Sequence, residues 1–202
     1  MKKSILISLI MFLSILGSTT MAQKTFIERV SLEAGAGYNL SISDFEEQSQ
    51  NDFGGFRSFY LGANYHLTDL MGLRFSYANN AFEDKDDSSM GLTLHKFMAE
   101  ATINIIQFIE IQPLDLEVVG HAGFGASLGK SSLSSDIDKM GNFQIGLMPK
   151  YQITDNFSIH LDATYVVNIR QNFNYNGLPA FQDNRHVTGE YFVFNAGVGV
   201  SF

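Results

Sequence analysis

Apolar and polar residues alternate along most of the chain from residue 30 onward. Leu32 and Ala34, for example, are separated by Glu33. A period of two is typical of β-strands whose two faces meet different surroundings. The alternation predicts eight strands, over residues 30–40, 58–67, 73–78, 96–105, 116–127, 143–152, 157–170 and 191–202. It shifts near Leu94 and His95, which predicts a β-bulge there.

The number and spacing of these strands predict a barrel that crosses a membrane. Most are about 10 residues or longer, the length that a tilted strand needs to span a bilayer, and an even number is typical of single-chain bacterial barrels. The connections alternate in length. The short ones are residues 66–72, 106–115 and 153–156, and the longer ones are 41–55, 79–91, 129–141 and 171–190. Short periplasmic turns and long outer loops produce this order, which places both mature termini in the periplasm.

The composition of the two strand faces separates this interpretation from a water-soluble one. One face is aliphatic and aromatic, and the other mixes charged residues with glycine. A soluble sandwich or lipocalin-like barrel also alternates, but it turns its apolar face inward. A glycine-rich charged face fits the inside of a narrow barrel, where glycine leaves room for long neighbours. Pro149 argues against a regular sixth strand, because proline donates no hydrogen bond to a strand ladder.

The first residues have the composition of a secretory signal peptide. Lys2 and Lys3 precede an apolar run of about a dozen residues, shorter than the roughly 20 that a membrane-spanning helix needs. The sequence Thr-Met-Ala at positions 20–22 predicts cleavage after Ala22. We therefore expect a signal peptide over residues 1–22 and a β-barrel domain over residues 23–202. A retained N-terminal anchor helix is the alternative.

Composition excludes several classes of function. The chain has 202 residues, a formal net charge of −8 and no cysteine. Without thiols it forms no disulfide and no thiolate metal site, and its negative charge gives no electrostatic basis for binding nucleic acid. We predict no cofactor and no metal ion.

The predicted inward face carries the candidate functional residues, which share charge or an imidazole ring. They are Glu33, Arg74, Lys96, Glu100, Glu117, His121, Lys150, His160, Asp162 and Arg170. An isolated buried charge is costly, so we expect these side chains to pair as a polar network inside the barrel. One interpretation is a packed polar plug that makes the barrel rigid. The other is a narrow ion path that opens when a pair rearranges.

The loops and histidines leave further alternatives open. The first loop contains Asp44, Glu46, Glu47 and Asp52, and the second contains Glu83, Asp84, Asp86 and Asp87. Such clusters are either solvated or bridge to anionic lipopolysaccharide through divalent cations. The fourth loop contains Phe173, Tyr175, Leu178, Pro179 and Phe181, which pack on neighbours or contact a partner. No serine, histidine and acid converge on the predicted lipid-facing side, so we predict no enzyme.

Several strings of residues resemble a known family. The last strand alternates up to a terminal Phe202, which resembles the signal by which outer-membrane barrels are recognised for assembly. The segments 118–128 (VVGHAGFGASL), 146–158 (GLMPKYQITDNFS) and 163–177 (ATYVVNIRQNFNYNG) resemble the barrel halves of OmpA-type proteins of the Bacteroidota cell envelope. Proteins of that type also carry a C-terminal peptidoglycan-binding domain. We expect none here, because residues 26–202 are taken up by the barrel.

The sequence therefore predicts an all-β protein, an eight-stranded antiparallel up-and-down transmembrane barrel of a Gram-negative outer membrane. Its expected role is structural or interactive, as a stand-alone barrel or an accessory subunit. The alternative functions are a narrow porin-like channel and, more weakly, a lipid A-modifying enzyme. The expected partners are outer-membrane lipid and lipopolysaccharide, the barrel assembly machinery, and an outer-membrane protein.

Overall fold

The computed structural model describes residues 26–42, 53–83, 89–109, 115–180 and 186–202. The predicted signal peptide (1–22), the acidic residues of the first loop, Asp84, Asp86 and Asp87 of the second, and Phe181 of the fourth lie outside these ranges.

Eight strands form where the alternation predicts them. They are β1 (Val30–Ser41), β2 (Gly54–His66), β3 (Met71–Glu83), β4 (Gly91–Asn104), β5 (Leu116–Ser131), β6 (Ile137–Thr154), β7 (Phe157–Gln171) and β8 (Val187–Ser201). A 3-10 turn, Ile27–Arg29, precedes β1, and a short helix α1, Ile105–Phe108, follows β4. The side chain of Asn104 caps this helix by accepting a hydrogen bond of 3.2 Å from the Gln107 amide. Within the described residues, no helix is long and apolar enough to cross a membrane.

The strands close into a barrel in sequence order. Each strand pairs antiparallel with the next, and β1 pairs with β8 from Ser31 opposite Ser201 to Ser41 opposite Tyr191. Closure leaves no edge strand whose main-chain groups lack a neighbour. Residues 26–29, Phe202 and the connecting residues 67–70, 105–109 and 155–156 lie at one end, which we call the turn end. We call the opposite end the loop end.

The wall of the barrel is apolar on its outside. Phe124 and Leu161 are 70% and 62% exposed, and they belong to a large set of outward aliphatic and aromatic side chains. The inward positions of the same strands are buried and mostly polar. The prediction that the apolar face points outward is confirmed. An exposed apolar surface that surrounds the molecule is much larger than the patches found on water-soluble monomers.

The bulge predicted near Leu94 and His95 is wrong. The registers of β4 with β3 and with β5 run without a shift through this point. Leu94 points inward and is fully buried. The polarity of the interior changes here while the strand geometry does not, because the inward residues towards the loop end are apolar.

Pro149 lies in β6 without displacing the strand. On the β5 side it pairs with Val118. On the β7 side, Leu147 lies opposite Ala163 and Lys150 lies opposite His160, so the register is the same before and after the proline. Proline lacks an N–H, and the β6–β7 ladder absorbs this locally without the bulge that would rotate the following side chains.

Candidate functional site

An arginine and a glutamate form the centre of the barrel interior. Arg74 on β3 lies directly opposite Glu100 on β4, so both side chains enter the interior at the same height. Nε of Arg74 donates to Oε2 of Glu100 at 2.8 Å, and Nη2 donates to Oε1 at 2.9 Å. This bidentate geometry is the strongest arrangement available to an arginine–carboxylate pair. Both residues are buried.

Two further carboxylates and a histidine surround this pair. Nη1 of Arg74 lies 3.4 Å from Oδ2 of Asp162 and 3.9 Å from Oε2 of Glu33. The His121 ring lies between two of the acids, with Nδ1 2.8 Å from Oε1 of Glu100 and Nε2 3.6 Å from Oδ1 of Asp162. We call Glu33, Arg74, Glu100, His121 and Asp162 the central cluster.

A second cation joins the central cluster through an amide. Nζ of Lys96 donates to Oε1 of Gln144 at 2.6 Å, and Nε2 of Gln144 donates to Oε1 of Glu100 at 2.6 Å. The ammonium also lies 5.7 Å from the centre of the Tyr191 ring, within the range of a cation–π contact. Gln144 was not among the predicted network residues. Its inward parity identified its face, but parity alone does not give its height in the barrel.

Hydroxyl groups satisfy more of the carboxylate oxygens. Oγ of Ser76 donates to Oε2 of Glu100 at 3.2 Å, and Oγ1 of Thr164 donates to Oδ1 of Asp162. Parity alone does not single out these two residues, because Ser and Thr are common on any inward face. Their hydrogen bonds matter here, since a buried carboxylate is tolerated only when its lone pairs are used.

Glycines provide the space for the long polar side chains. A Cβ atom on Gly146 would lie 2.4 Å from Nε2 of His121, and one on Gly197 would lie 2.4 Å from Nε2 of His160. Real Cβ atoms do not approach other atoms so closely. The glycines of the inward face are therefore part of the site, as the sequence analysis proposed for that face.

Three predicted network residues lie nearer the turn end, apart from the central cluster. Nζ of Lys150 is 3.9 Å from Oε2 of Glu117, whose side chain is 44% exposed at the mouth of the barrel. The ring of His160 is hydrogen-bonded to the hydroxyl of Tyr60. These residues share the inward face with the central cluster but lie at a different level.

The inward assignment of Arg170 is wrong. A register shift lies between Ile169 and Gln171, and Arg170 has φ of 68°, the one non-glycine residue with positive φ among those described. The irregularity exposes Arg170 and places Gln171 in the interior, fully buried. Nη2 of Arg170 contacts Nε2 of His186 at 3.4 Å. β-Bulges re-aim side chains in this way.

An apolar cluster closes the loop end, and we call it the apolar seal. Its members are Phe53, Phe82, Leu92, Leu94, Met140, Val166, Phe173, Tyr175, Tyr191 and Val193. Most point inward from the strands, whereas Phe173 and Tyr175 come from the β7–β8 loop. The ring centre of Tyr175 is 4.5 Å from that of Phe82. Of the two alternatives for this loop, packing on neighbours is therefore correct for Phe173 and Tyr175.

Hydrogen bonds fix the β7–β8 loop over the barrel mouth. Oγ of Ser131 donates to the Gly177 carbonyl at 2.6 Å, and the Tyr175 hydroxyl donates to the Glu190 carbonyl at 3.1 Å. Asp138 accepts from both the amide and the side chain of Asn172, at 2.6 and 2.7 Å. Gly177 adopts φ of 86°, a conformation that glycine reaches without strain.

The empty space inside the barrel is small and discontinuous. A cavity of about 360 Å³ opens at the turn end, next to Lys150 and Glu117. A second, of about 60 Å³, reaches from there to Glu33 and Asn64, and a void of about 20 Å³ lies beside Arg74 and Lys96. Buried side chains of the central cluster, of the apolar seal and of further polar residues such as Asn80 and Asn142 occupy the described interior between these spaces.

The acidic loops are described only at their edge. Glu83, at the end of β3, forms an ion pair with Arg57 on the neighbouring strand β2. The other carboxylates proposed to bridge cations lie outside the described residues, so this hypothesis stays a prediction.

Comparison with known proteins shows that solved outer-membrane β-barrels share this fold. Neither a protein-family model nor a curated protein matches the sequence. Neisserial surface protein A is 15% identical, with 86% of this chain and 97% of that chain covered and a TM-score of 0.59. A major outer membrane protein from Thermus thermophilus is 12% identical, with 86% and 98% covered and a TM-score of 0.52. At these identities the likeness shows the fold alone, and the resemblance to OmpA-type Bacteroidota proteins stays a prediction.

Proposed function

We propose that the protein is an integral β-barrel of a Gram-negative outer membrane with a structural or interaction role. The apolar wall supports this proposal, because only a lipid environment covers outward aliphatic and aromatic side chains around a whole barrel. We further propose export by the signal peptide with cleavage after Ala22, and an orientation with the turn end in the periplasm. Catalysis is not part of the proposal.

The observation that carries a non-conducting role is the filled interior. The central cluster occupies the middle of the barrel with mutually paired charges, and the apolar seal occupies the loop end. Eight strands enclose an interior just wide enough for side chains to fill. A barrel closed at two levels serves as a rigid scaffold in the envelope, either alone or beside an outer-membrane protein partner.

The expected contacts of such a scaffold follow from its surface and its last strand. Its outer wall contacts membrane lipid, including lipopolysaccharide in the outer leaflet. Phe202 follows β8 at the closing seam, where its amide donates to the Val30 carbonyl at 3.3 Å, and its side chain is exposed. We propose that this residue is read by the barrel assembly machinery before the seam closes.

We expect planar bilayers that contain the wild-type protein to show no channel current, because the apolar seal excludes hydrated ions. A variant with Phe173→Ala and Tyr175→Ala widens the loop end but keeps the central cluster, so we also expect it not to conduct. Single-channel recording of both proteins at symmetric salt measures this directly. Resolved steady openings of the wild-type protein would contradict the scaffold role.

A narrow ion path is the second candidate function. The cavities of about 360, 60 and 20 Å³ support it, because they follow one another from the turn end to the level of Arg74. On this alternative, Arg74→Ala changes the conductance because the arginine separates the voids. On the scaffold proposal, the same substitution leaves the bilayer silent and lowers heat stability.

A further inference from the structure

Three basic side chains project outward from neighbouring strands at the loop end. They are Lys130 on β5, Lys139 on β6 and Arg170 on β7, and all are exposed. Lys130 lies opposite Ile137, and Lys139 lies opposite Leu128, so the two lysines are diagonal neighbours on one face. Diagonal positions in an antiparallel pair are about 7–8 Å apart, within reach of long side chains. We call these three residues the basic patch.

The basic patch is not neutralised within the described part of the chain. Ion pairs there involve other cations, such as Arg57 with Glu83 and Arg74 with Glu100. One nearby carboxylate needs to be considered, Asp136 in the β5–β6 loop. No ion pair joins it to the patch within the described ranges. Asp138, although adjacent in sequence to Lys139, points inward and accepts hydrogen bonds from Asn172.

The position of this positive charge is unusual for the chain. The formal net charge is −8, and the acidic loop residues lie in the connections β1–β2 and β3–β4. Lys139 and Arg170 lie on β6 and β7, which these two connections do not join, whereas Lys130 on β5 lies opposite Thr93 of β4. An acidic protein that places cations together on neighbouring strands presents that part of its wall to anions.

The backbone at Arg170 is an independent observation that points to the same surface. Regular alternation would bury Arg170, but the bulge and its φ of 68° turn it outward. A non-glycine residue in this region is strained, and such strain persists mainly at functional sites. The interior position is taken by Gln171, whose Nε2 donates to the Phe173 carbonyl at 2.7 Å. The irregularity adds Arg170 to the lysine pair.

Apolar side chains lie beside the basic patch on the same outer wall. All three of Leu128, Ile137 and Ile169 are exposed. Ile137 is level with Lys130 and Leu128 with Lys139, whereas Ile169, opposite Gly141, lies nearer the turn end. Further along the wall, the rings of Phe124 and Phe143 pack against each other with centres 5.1 Å apart. The surface therefore offers cations above hydrocarbon, the order in which a lipid presents its phosphate and its acyl chains.

We propose that Lys130, Lys139 and Arg170 form a binding site for the phosphate groups of an anionic lipid in the outer leaflet. This inference rests on the proposed membrane location and orientation, and it deepens the proposed lipid contact by naming the residues that bind the phosphate groups. The Arg170 guanidinium provides a planar fork that matches two phosphate oxygens, and the lysines contribute point charges on either side. Ile169 and the rings of Phe124 and Phe143, which lie nearer the turn end, contact the acyl chains.

The test is a titration of the purified full-length protein in neutral detergent with bis-phosphorylated lipid A, followed by native mass spectrometry. The variant carries Lys130→Gln, Lys139→Gln and Arg170→Gln. We expect it to bind at least about tenfold more weakly than wild type, because it loses three charge-assisted contacts to the phosphate groups. Arg57→Gln, which removes an exposed cation from β2, is the matched control and keeps wild-type affinity. An unchanged gel shift between unboiled and boiled samples shows that each variant is folded.

Three further measurements distinguish a lipid phosphate from a free anion, and failure of this inference from failure of the proposed function. Lipid A without phosphates should bind the wild-type protein as weakly as phosphorylated lipid A binds the triple variant. If the wild-type protein binds lipid A equally well with and without phosphates, the proposed site is overturned. Full displacement of lipid A by millimolar inorganic phosphate would also overturn a lipid site in favour of a free-anion site. Insertion of the wild-type protein into phosphatidylcholine vesicles is measured in parallel. If it inserts but does not prefer phosphorylated lipid, only this inference fails, whereas failure to insert also contradicts the proposed function.

Discussion

Replacing Arg74 by methionine is expected to lower the free energy of unfolding by about 3–5 kcal/mol. The guanidinium is buried and lies within 4 Å of carboxylate oxygens of Glu33, Glu100 and Asp162. Methionine preserves much of the side-chain volume but leaves these acids without their shared cation. Urea-induced unfolding in phosphatidylcholine vesicles, followed by intrinsic tyrosine fluorescence and by gel shift, measures the loss.

Two controls separate this effect from the loss of any arginine. Arg57 forms an ion pair with Glu83, but its side chain is 59% exposed, so Arg57→Met should cost no more than about 1 kcal/mol. Adding Glu100→Gln to Arg74→Met should recover part of the loss, because it removes one unpaired charge. Equal stabilities of the Arg74→Met and Arg57→Met variants would be inconsistent with a charge-paired interior.

Replacing Phe82 by alanine is expected to lower the free energy of unfolding by about 3–5 kcal/mol. Phe82 is fully buried in the apolar seal. Its ring centre lies 4.5 Å from that of Tyr175 and 5.1 Å from that of Tyr191. Truncation leaves a cavity among rigid strands, and it also removes the surface on which the β7–β8 loop packs. The same urea titration measures the change.

Phe124→Ala is the matched control on the outer wall. Its side chain is as large as that of Phe82 but faces outward, where mobile lipid fills the space that truncation leaves. We therefore expect a smaller loss than for Phe82→Ala, since the cavity contribution is absent. A larger loss at Phe124 than at Phe82 would indicate that the loop end is not a packed core.

The strands were predictable because one physical requirement repeats along the whole chain. A barrel wall with lipid on one side and paired polar groups on the other imposes a period of two, which needs no tertiary information. Leu94 shows the limit of this argument. The alternation predicts polar residues at inward positions, but the apolar seal makes the inward positions of β4 hydrophobic near the loop end.

The sequence predicts which face of the barrel wall carries the candidate site, but it does not predict how far along the barrel axis each residue lies. Parity placed Arg74, Glu100 and His121 inward. The distances between them depend on strand registers such as Arg74 opposite Glu100, which closure of the barrel determines. The same parity placed Lys150 and Glu117 inward, yet these lie near the turn end. Strand register, and not parity, also brings Gln144 to Glu100 at the centre of the barrel.

Arg170 and the β7–β8 loop illustrate what a periodic pattern cannot predict. A bulge adds one residue to a strand and reverses the parity beyond it, and the local sequence of β7 continues the alternation up to Arg170 without a glycine. The packing of Phe173 and Tyr175 depends on the shape of the barrel mouth. The sequence therefore leaves both alternatives for the loop open.

The measurement that tests the account most directly is a spin-label scan along β4 in reconstituted vesicles. The chain has no cysteine, so single substitutions Phe97→Cys to Ala101→Cys label one site each. We predict that labels at Phe97, Ala99 and Ala101 collide with oxygen but not with a water-soluble nickel complex, whereas Met98→Cys is reached by neither. Ser132→Cys in the β5–β6 loop should be reached by nickel. Nickel access at the three outward positions equal to that at Ser132 would contradict a lipid-facing wall.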